Sequence, residues 1–328
     1  MSLDNTSLSL SARLLCYLGP PSAILLTYTA SPRTALLSPI ALLPTAILYK
    51  KWQKSNSTNP SRRGDLEVMV WTYAASGTLG LTLVALTQFA ICTAATYLLF
   101  GNGQMRTDFL TELCRGSIDG LTADELARRA ELAATWQNWV FSGVFTFVVT
   151  GLVEETLKYL PIAYARRRGI IKQRQRRNRA YIDYAISAAL GFGFVEALGF
   201  LYIACENERQ TGLKLGLTIL ERMVGFTGHL LVSALTGLRA TRRDFYGGEE
   251  EKKMSWWAVT GPAILFHGAF NFVAISFSVL EGNVGWIHPT GVGNTVSMVG
   301  IAASLVGAAA WMVRGEWKAL NERDRKPQ

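Results

Sequence analysis

Residues 182–205 read IDYAISAALGFGFVEALGFLYIAC, an apolar stretch broken only by Asp183 at its start and Glu196 inside it. Directly before it, at 166–179, stands RRRGIIKQRQRRNR. A helix that crosses the hydrocarbon core needs roughly 20 mainly apolar residues, and a dense basic block at one end is what holds such a helix's flank in the cytoplasm. The stretch is therefore read as a membrane span.

The same alternation continues on both sides. Of 328 residues, 49% are hydrophobic and the mean hydropathy is positive, at +0.19, so the composition departs from that of a soluble two-domain chain. Apolar blocks at 13–30, 34–50, 70–100, 138–165, 182–205, 213–238, 256–280 and 294–314 give an all-α polytopic bundle of about eight spans. Pro20, Pro21, Pro32, Pro39 and Pro44 interrupt the first two blocks and only Arg33 lies between them, so a helical hairpin competes there with a re-entrant segment. Polar residues precede the first block without a small-x-small cleavage site, and it is read as a retained span.

Positive charge orients the spans. Lys50, Lys51, Lys54, Arg62 and Arg63 follow the second block, and Arg239, Arg242, Arg243, Lys252 and Lys253 follow the sixth. Arg314, Lys318, Arg323, Arg325 and Lys326 follow the last. The intervening segments lack that bias: 101–137 has more acids than bases, 206–214 carries Glu206 and Glu208, and 281–293 has no Lys or Arg. Both termini are placed in the cytoplasm, which an even number of spans requires. The formal charge of +9 is thus a topology signal that meets anionic lipid, not a nucleic-acid patch. The sequons at Asn5 and Asn56 fall on the side where no glycan is transferred.

Residues 121–136, LTADELARRAELAATW, alternate acids, bases and apolar residues at helical spacing, with Thr122 placed to cap. An exterior surface helix is expected, resting on the protein's own face rather than on headgroups. The four cysteines show no CxxC and no metal-ligand spacing. Cys16 and Cys92 lie in apolar segments, while Cys114 and Cys205 both fall on the exterior side, where an oxidising compartment would permit a disulfide.

A charged group near the bilayer centre costs at least about 2.5 kcal/mol on insertion scales, so each one requires a partner, a cavity or a function. They occur here in four consecutive spans: Glu154, Glu155 and Lys158 in VEETLKYLP, Glu196 in GFGFVEALGF, His229 in GFTGHLLVSA, and His267 with Asn271 in LFHGAFNFV. At about 1.5 Å per residue, Glu155, Glu196, His229 and His267 lie roughly 15, 21, 14 and 16 Å from the cytoplasmic ends of their helices. Four helices of alternating direction thus place their polar groups in one layer. Glu154 and Lys158 share a helix face, as do His267 and Asn271, whereas Glu155 points about 100° away from Glu154. Gly191, Gly193, Gly199, Gly225, Gly228 and Gly268 are expected to allow close helix approach.

Those residue types fit water activation. A desolvated carboxylate serves as general base, and imidazoles with an Asn amide donate to an oxyanion. Hydrolysis in this form requires no cofactor; Glu196, His229 and His267 are equally a one-Glu, two-His set of the kind that holds catalytic zinc and leaves a place for water. Any one of these residues alone is more often an interhelical hydrogen-bonder; only their coincidence in depth reverses that weighting. Plainer roles are expected elsewhere: Glu221 with Arg222 as an interfacial ion pair, Asp183 as a helix N-terminal charge, Trp71, Trp139, Trp256 and Trp257 as belt residues, and His288 as a bystander.

Taken in order, these motifs resemble the PrsW family of intramembrane proteases, in the superfamily that includes the CAAX prenyl proteases and bacteriocin-processing enzymes. EExxK falls on Glu154, Glu155 and Lys158, FxxxE on Phe192 and Glu196, a histidine of the next span on His229, and HxxxN on His267 and Asn271. The resemblance implies that Glu154 or Glu155 activates water, that Glu196 and His229 complete or orient the centre, and that His267 with Asn271 stabilises the oxyanion. Lys158 and Glu196 depart from the prenyl-protease pattern, which points to a membrane-spanning or juxtamembrane protein substrate. It further implies three regions: N-terminal spans with the exterior loop (1–137), a catalytic four-helix core (138–280), and the last span with its basic tail (281–328). Two other readings compete: a non-catalytic scaffold subunit, since the superfamily resemblance extends to a multi-span subunit of the gamma-secretase complex, and a proton-coupled transporter, for which repeated halves are missing.

Overall fold

The computed structural model describes residues 8–58, 62–167, 178–206, 212–246 and 254–325. Among them the chain forms ten helices and no strand. They are α1 (Leu10–Ala30), α2 (Pro32–Thr58), α3 (Leu66–Phe100), α4 (Gln104–Leu113), α5 (Ala123–Ala134), α6 (Trp136–Arg167), α7 (Ala180–Glu206), α8 (Gly212–Phe245), α9 (Trp256–Leu280) and α10 (Val292–Arg325). Each of the eight apolar blocks lies inside one of the long helices. Among the described residues, α1, α3, α6, α7, α9 and α10 are long and apolar enough to cross a membrane, which makes the chain a multi-pass integral membrane protein. The composition of α2 and α8 falls short: α2 is diluted by Pro39, Pro44 and its lysines, and α8 by Lys214, His229 and a basic end. Most of the basic block 168–177, with Asn5, Glu208, Lys252, Lys253 and Lys326, lies outside the described residues, as do the side chains of Glu221 and Arg222.

The prolines of the first two helices do not break them. Pro32 opens α2, where its missing N–H has no partner to lose, and Ser31 joins the helices, its hydroxyl accepting from the Thr34 amide at 3.3 Å. Pro20 and Pro21 sit within α1, and Pro39 and Pro44 within α2.

The chain divides into two compact units. The first comprises Met1–Thr82, Leu157–Val259 and Val313–Gln328. Its core packs Tyr159, Ile162, Tyr181, Tyr184 and Val259, beside a smaller cluster of Ile182, Leu238 and Leu320. Between membrane helices apolar burial gives little net drive, so close approach matters more. Gly191 of α7 lies against the Tyr73 carbonyl of α3, and the Phe226 ring of α8 fills the space where a Gly193 side chain would begin, 2.6 Å away. Asp183 in the first turn of α7 receives Arg63 at 2.6 Å and the Gly64 amide at 2.7 Å, a bridge beyond the helix-end role expected of it. Near the far end of α10, Asp324 accepts from Arg179 at 2.6 Å, Arg62 at 3.3 Å, Asn178 and Tyr246.

The second unit comprises Leu83–Thr156 and Thr260–Met312. Phe100, Phe109, Phe141, Ile275 and Val279 form its core. The helix expected at 121–136 is α5, opened by a capping box in which Thr122 accepts from the Glu125 amide while Glu125 accepts from the Thr122 amide. It rests on the protein's own face, as its pattern indicated. Arg129, read from sequence as one of its charges, is buried, donating to Glu112, Asn283 and the Val284 carbonyl. All four cysteines are free thiols, and His288 Nδ1 meets its neighbour's carbonyl, Pro289 O, at 2.9 Å. Trp71 and Trp257 are exposed, whereas Trp139 and Trp256 pack against the two cores.

Candidate active site

In α6 the residues Val144–Leu152 adopt wide π turns, and Glu154 and Glu155 follow at once. Such turns rotate everything after them relative to a regular helix, and they recur at functional positions. Here they coincide with a close crossing inside the second unit. A side chain at Gly151 would lie 2.9 Å from the Ile264 carbonyl of α9, and Gly268 of α9 lies against the Phe147 ring. That crossing brings His267, next to Gly268, to the two acids.

Glu154, Glu155 and His267 are all buried. His267 Nδ1 is 2.9 Å from Glu155 Oε1, and its Nε2 is 3.7 Å from Glu154 Oε2. A carboxylate only accepts, so a ring proton sits on Nδ1, and in the neutral ring the lone pair of Nε2 faces Glu154. Two electron-pair donors thus confront each other beyond hydrogen-bond range, with a second carboxylate fixing the ring from behind. That is the usual surrounding of a ligating or water-polarising histidine. Glu154 Oε1 accepts from Gln88 Nε2 of α3 at 3.3 Å. One helical turn after His267, Asn271 donates through Nδ2 to Thr150 Oγ1 at 3.0 Å, and Thr150 in turn donates to the Thr146 carbonyl.

The first unit holds the remaining candidates. His229 Nε2 lies 2.9 Å from Glu196 Oε2, and His229 Nδ1 lies 2.9 Å from Lys158 Nζ. An ammonium donates and cannot accept, so Nδ1 accepts from Lys158 and the ring proton on Nε2 goes to Glu196. Lys158 also lies 4.6 Å above the Phe192 ring, which gives Phe192 a cation-holding role beside its packing. The Glu196 side chain keeps 31% of its surface accessible against 11% for His229. The pair opens outward on the carboxylate side.

The geometry brings Glu154, Glu155 and His267 into one cluster, with Asn271 a turn away, and Lys158, Phe192, Glu196 and His229 into another. Gly191, Gly193 and Gly268 are close-approach glycines, whereas Gly199, Gly225 and Gly228 face open space with no atom near enough to explain the absence of a side chain. Gln88 was missed, although an amide inside TLVALTQFAICTA is itself an intramembrane polar residue and the same cost argument applies to it. Thr150 was missed too, because a hydroxyl that bonds back to its own helix leaves no trace in hydropathy.

A family profile described as PrsW family intramembrane metalloprotease matches residues 120–307. A relative from Clostridioides difficile (strain 630), Protease PrsW, is 26% identical over 129 residues, covering 39% of this chain and 50% of its own. The chain therefore spans about half the length of the curated relative it matches. No solved structure matches.

Proposed function

Since the chain belongs to the PrsW family of intramembrane metalloproteases, we propose that it is a membrane-embedded endopeptidase that hydrolyses a peptide bond of a membrane-protein substrate. The observation that carries this reading is the Glu155–His267–Glu154 arrangement: an imidazole locked from one side by a carboxylate and turned toward a second, buried carboxylate. In this reading Glu154 takes a proton from the attacking water as the water oxygen adds to the scissile carbonyl carbon. The same proton then goes to the departing amine as the C–N bond breaks. Glu155 holds His267 in the tautomer that keeps Nε2 available. In that tautomer Nε2 accepts from the attacking water, the second N–H of the Asn271 amide steadies the oxyanion, and in the first unit Lys158 and Glu196 fix the His229 ring.

The donors present fit a metal of the kind the family description names. Imidazole nitrogens and carboxylate oxygens are the ligand types of catalytic zinc, and the carboxylate behind His267 matches the hydrogen-bonded backing of a ligating imidazole. His267, through Nε2 and beside Glu154, is the residue that would hold it; both nitrogens of His229 are already engaged, by Lys158 and Glu196. Bound there, it would lower the pKa of water and polarise the carbonyl.

The same reading places eight spans, with both termini in the cytoplasm, α4 and α5 on the exterior, and the chemistry within 138–280. The test is cleavage of single-span reporter peptides by the purified protein in lipid vesicles. Wild type is expected to release product and Glu154→Gln to fall by about 10²–10⁴-fold, the range for losing a general base. Chelation should silence wild type, and zinc should restore it. Absence of cleavage by wild type would remove the hydrolytic assignment and leave a scaffold, and rates undiminished in Glu154→Gln would remove Glu154 as the base.

A further inference from the structure

We propose that Gln88 of α3 is a positioning residue for Glu154, so that the working centre extends to a helix outside both the motif-bearing core and the matched segment 120–307. The inference rests on the hydrolytic reading above. Gln88 lies on the inward face of α3, one turn beyond buried Val84 and two turns before buried Ala95. Its Nε2 is 3.3 Å from Glu154 Oε1 and 3.5 Å from the Val149 carbonyl in the π turns of α6. Both partners are acceptors, so the orientation of the amide follows from them: the nitrogen faces α6.

The consequence is geometric. A carboxylate turns freely about its terminal bond unless its two oxygens are held differently. Gln88 takes Oε1, which leaves Oε2 as the oxygen facing His267 Nε2. The amide does this without bringing a charge. A lysine or arginine in its place would add a charge beside the carboxylate, whereas a neutral donor fixes its direction alone. The second contact ties the amide to the Val149 carbonyl, so Gln88 is referenced to the same wide turns that set the position of Glu154.

The test compares Gln88→Met, which keeps the length and apolar fit of the side chain but removes the donor, with Thr87→Val, whose neighbouring hydroxyl is exposed and bonds only its own helix at Leu83. In vesicle-reconstituted protein with the single-span reporter, Gln88→Met is expected to lower kcat by about 10–100-fold with KM nearly unchanged, as for other partners behind a working group. Thr87→Val should match wild type. The infrared carboxyl band that Glu154→Gln removes should shift in Gln88→Met, a readout that does not depend on turnover. An unshifted band, or an unchanged kcat, would overturn the role of Gln88. Absence of cleavage by wild type together with a shifted band would instead strike the hydrolytic reading and leave the Gln88–Glu154 contact standing. Should Gln88→Met not fold, Gln88→Leu is read in the same two ways.

Discussion

Glu154 and Glu155 are neighbours in the chain and opposites in circumstance. Glu155 is committed to His267 Nδ1, whereas Glu154 turns one oxygen to Gln88 and the other toward His267 Nε2. Their substitution should therefore have different outcomes. Glu154→Gln removes the proposed base. Glu155→Gln keeps a polar partner at Nδ1 but lets its amide flip and offer a donor there, so about 10–100-fold of kcat is expected to go while residual cleavage survives. Single-turnover rates of the two variants against wild type measure the difference, and equal losses would argue that the acids work as one unit. What hydropathy and spacing reveal at this scale is which residues are too costly to be incidental. The sequence reading accordingly singled out Glu154, Glu155, Glu196, His229 and His267, but left open which acid of the pair turns toward His267 Nε2. That choice depends on the π turns before Glu154, and nothing in VFTFVVTGL announces a turn wider than its neighbours.

Among elements, helix existence was legible because a membrane span needs a long apolar run, and each of the eight runs lies in a helix. Contact was less so. Glycine in a membrane helix signals close approach only when a neighbour comes to meet it, and of the six glycines singled out from sequence three are met and three face open space. Gly191 is the clearest of those met, because the Tyr73 carbonyl of α3 occupies the place of its missing side chain. Gly191→Val should force α3 and α7 apart, at a cost of at least about 1–3 kcal/mol as for overpacking in a core. Gly199→Val, with nothing near it, should be tolerated. Thermal unfolding midpoints in detergent would show a large drop for the first and little for the second; equal midpoints would contradict the packing of these helices. The burial of Arg129 was not legible either. In ADELARRAELAA the charges read as a solvated face, and only Glu112, Asn283 and the Val284 carbonyl, contributed by other segments, make burial of that guanidinium tolerable.

For the whole molecule, the charge pattern makes an orientation that can be measured. With α2 ending in the cytoplasm, the sequon at Asn56 should remain unglycosylated in a glycan-transferring membrane, while one introduced at the exposed turn before α5 should be modified; the reverse pattern would invert the topology. The helices α4 and α5 also confer a pH response. The Arg115 guanidinium, with that of Arg129, holds the Glu112 carboxyl below its ordinary value of 4.5. Glu112 therefore contributes stability that is fully present above that ordinary value and is lost as pH falls through the lowered folded value. The gap in unfolding midpoint between wild type and Glu112→Gln should be widest at neutral pH and close on acidification, and a constant gap would mean that the charge is not what holds α4 to α5.

The cluster around Asp324 has a consequence for biogenesis. Arg62 and its acceptor are separated by 262 positions along the chain. A ribosome adding roughly 5–20 residues per second leaves that early arginine without this acceptor for tens of seconds while the later helices are still being threaded into the bilayer. Arg62 and Arg179 must wait for a residue made well after them, and a nascent chain arrested before Asp324 would hold its helices without this clasp.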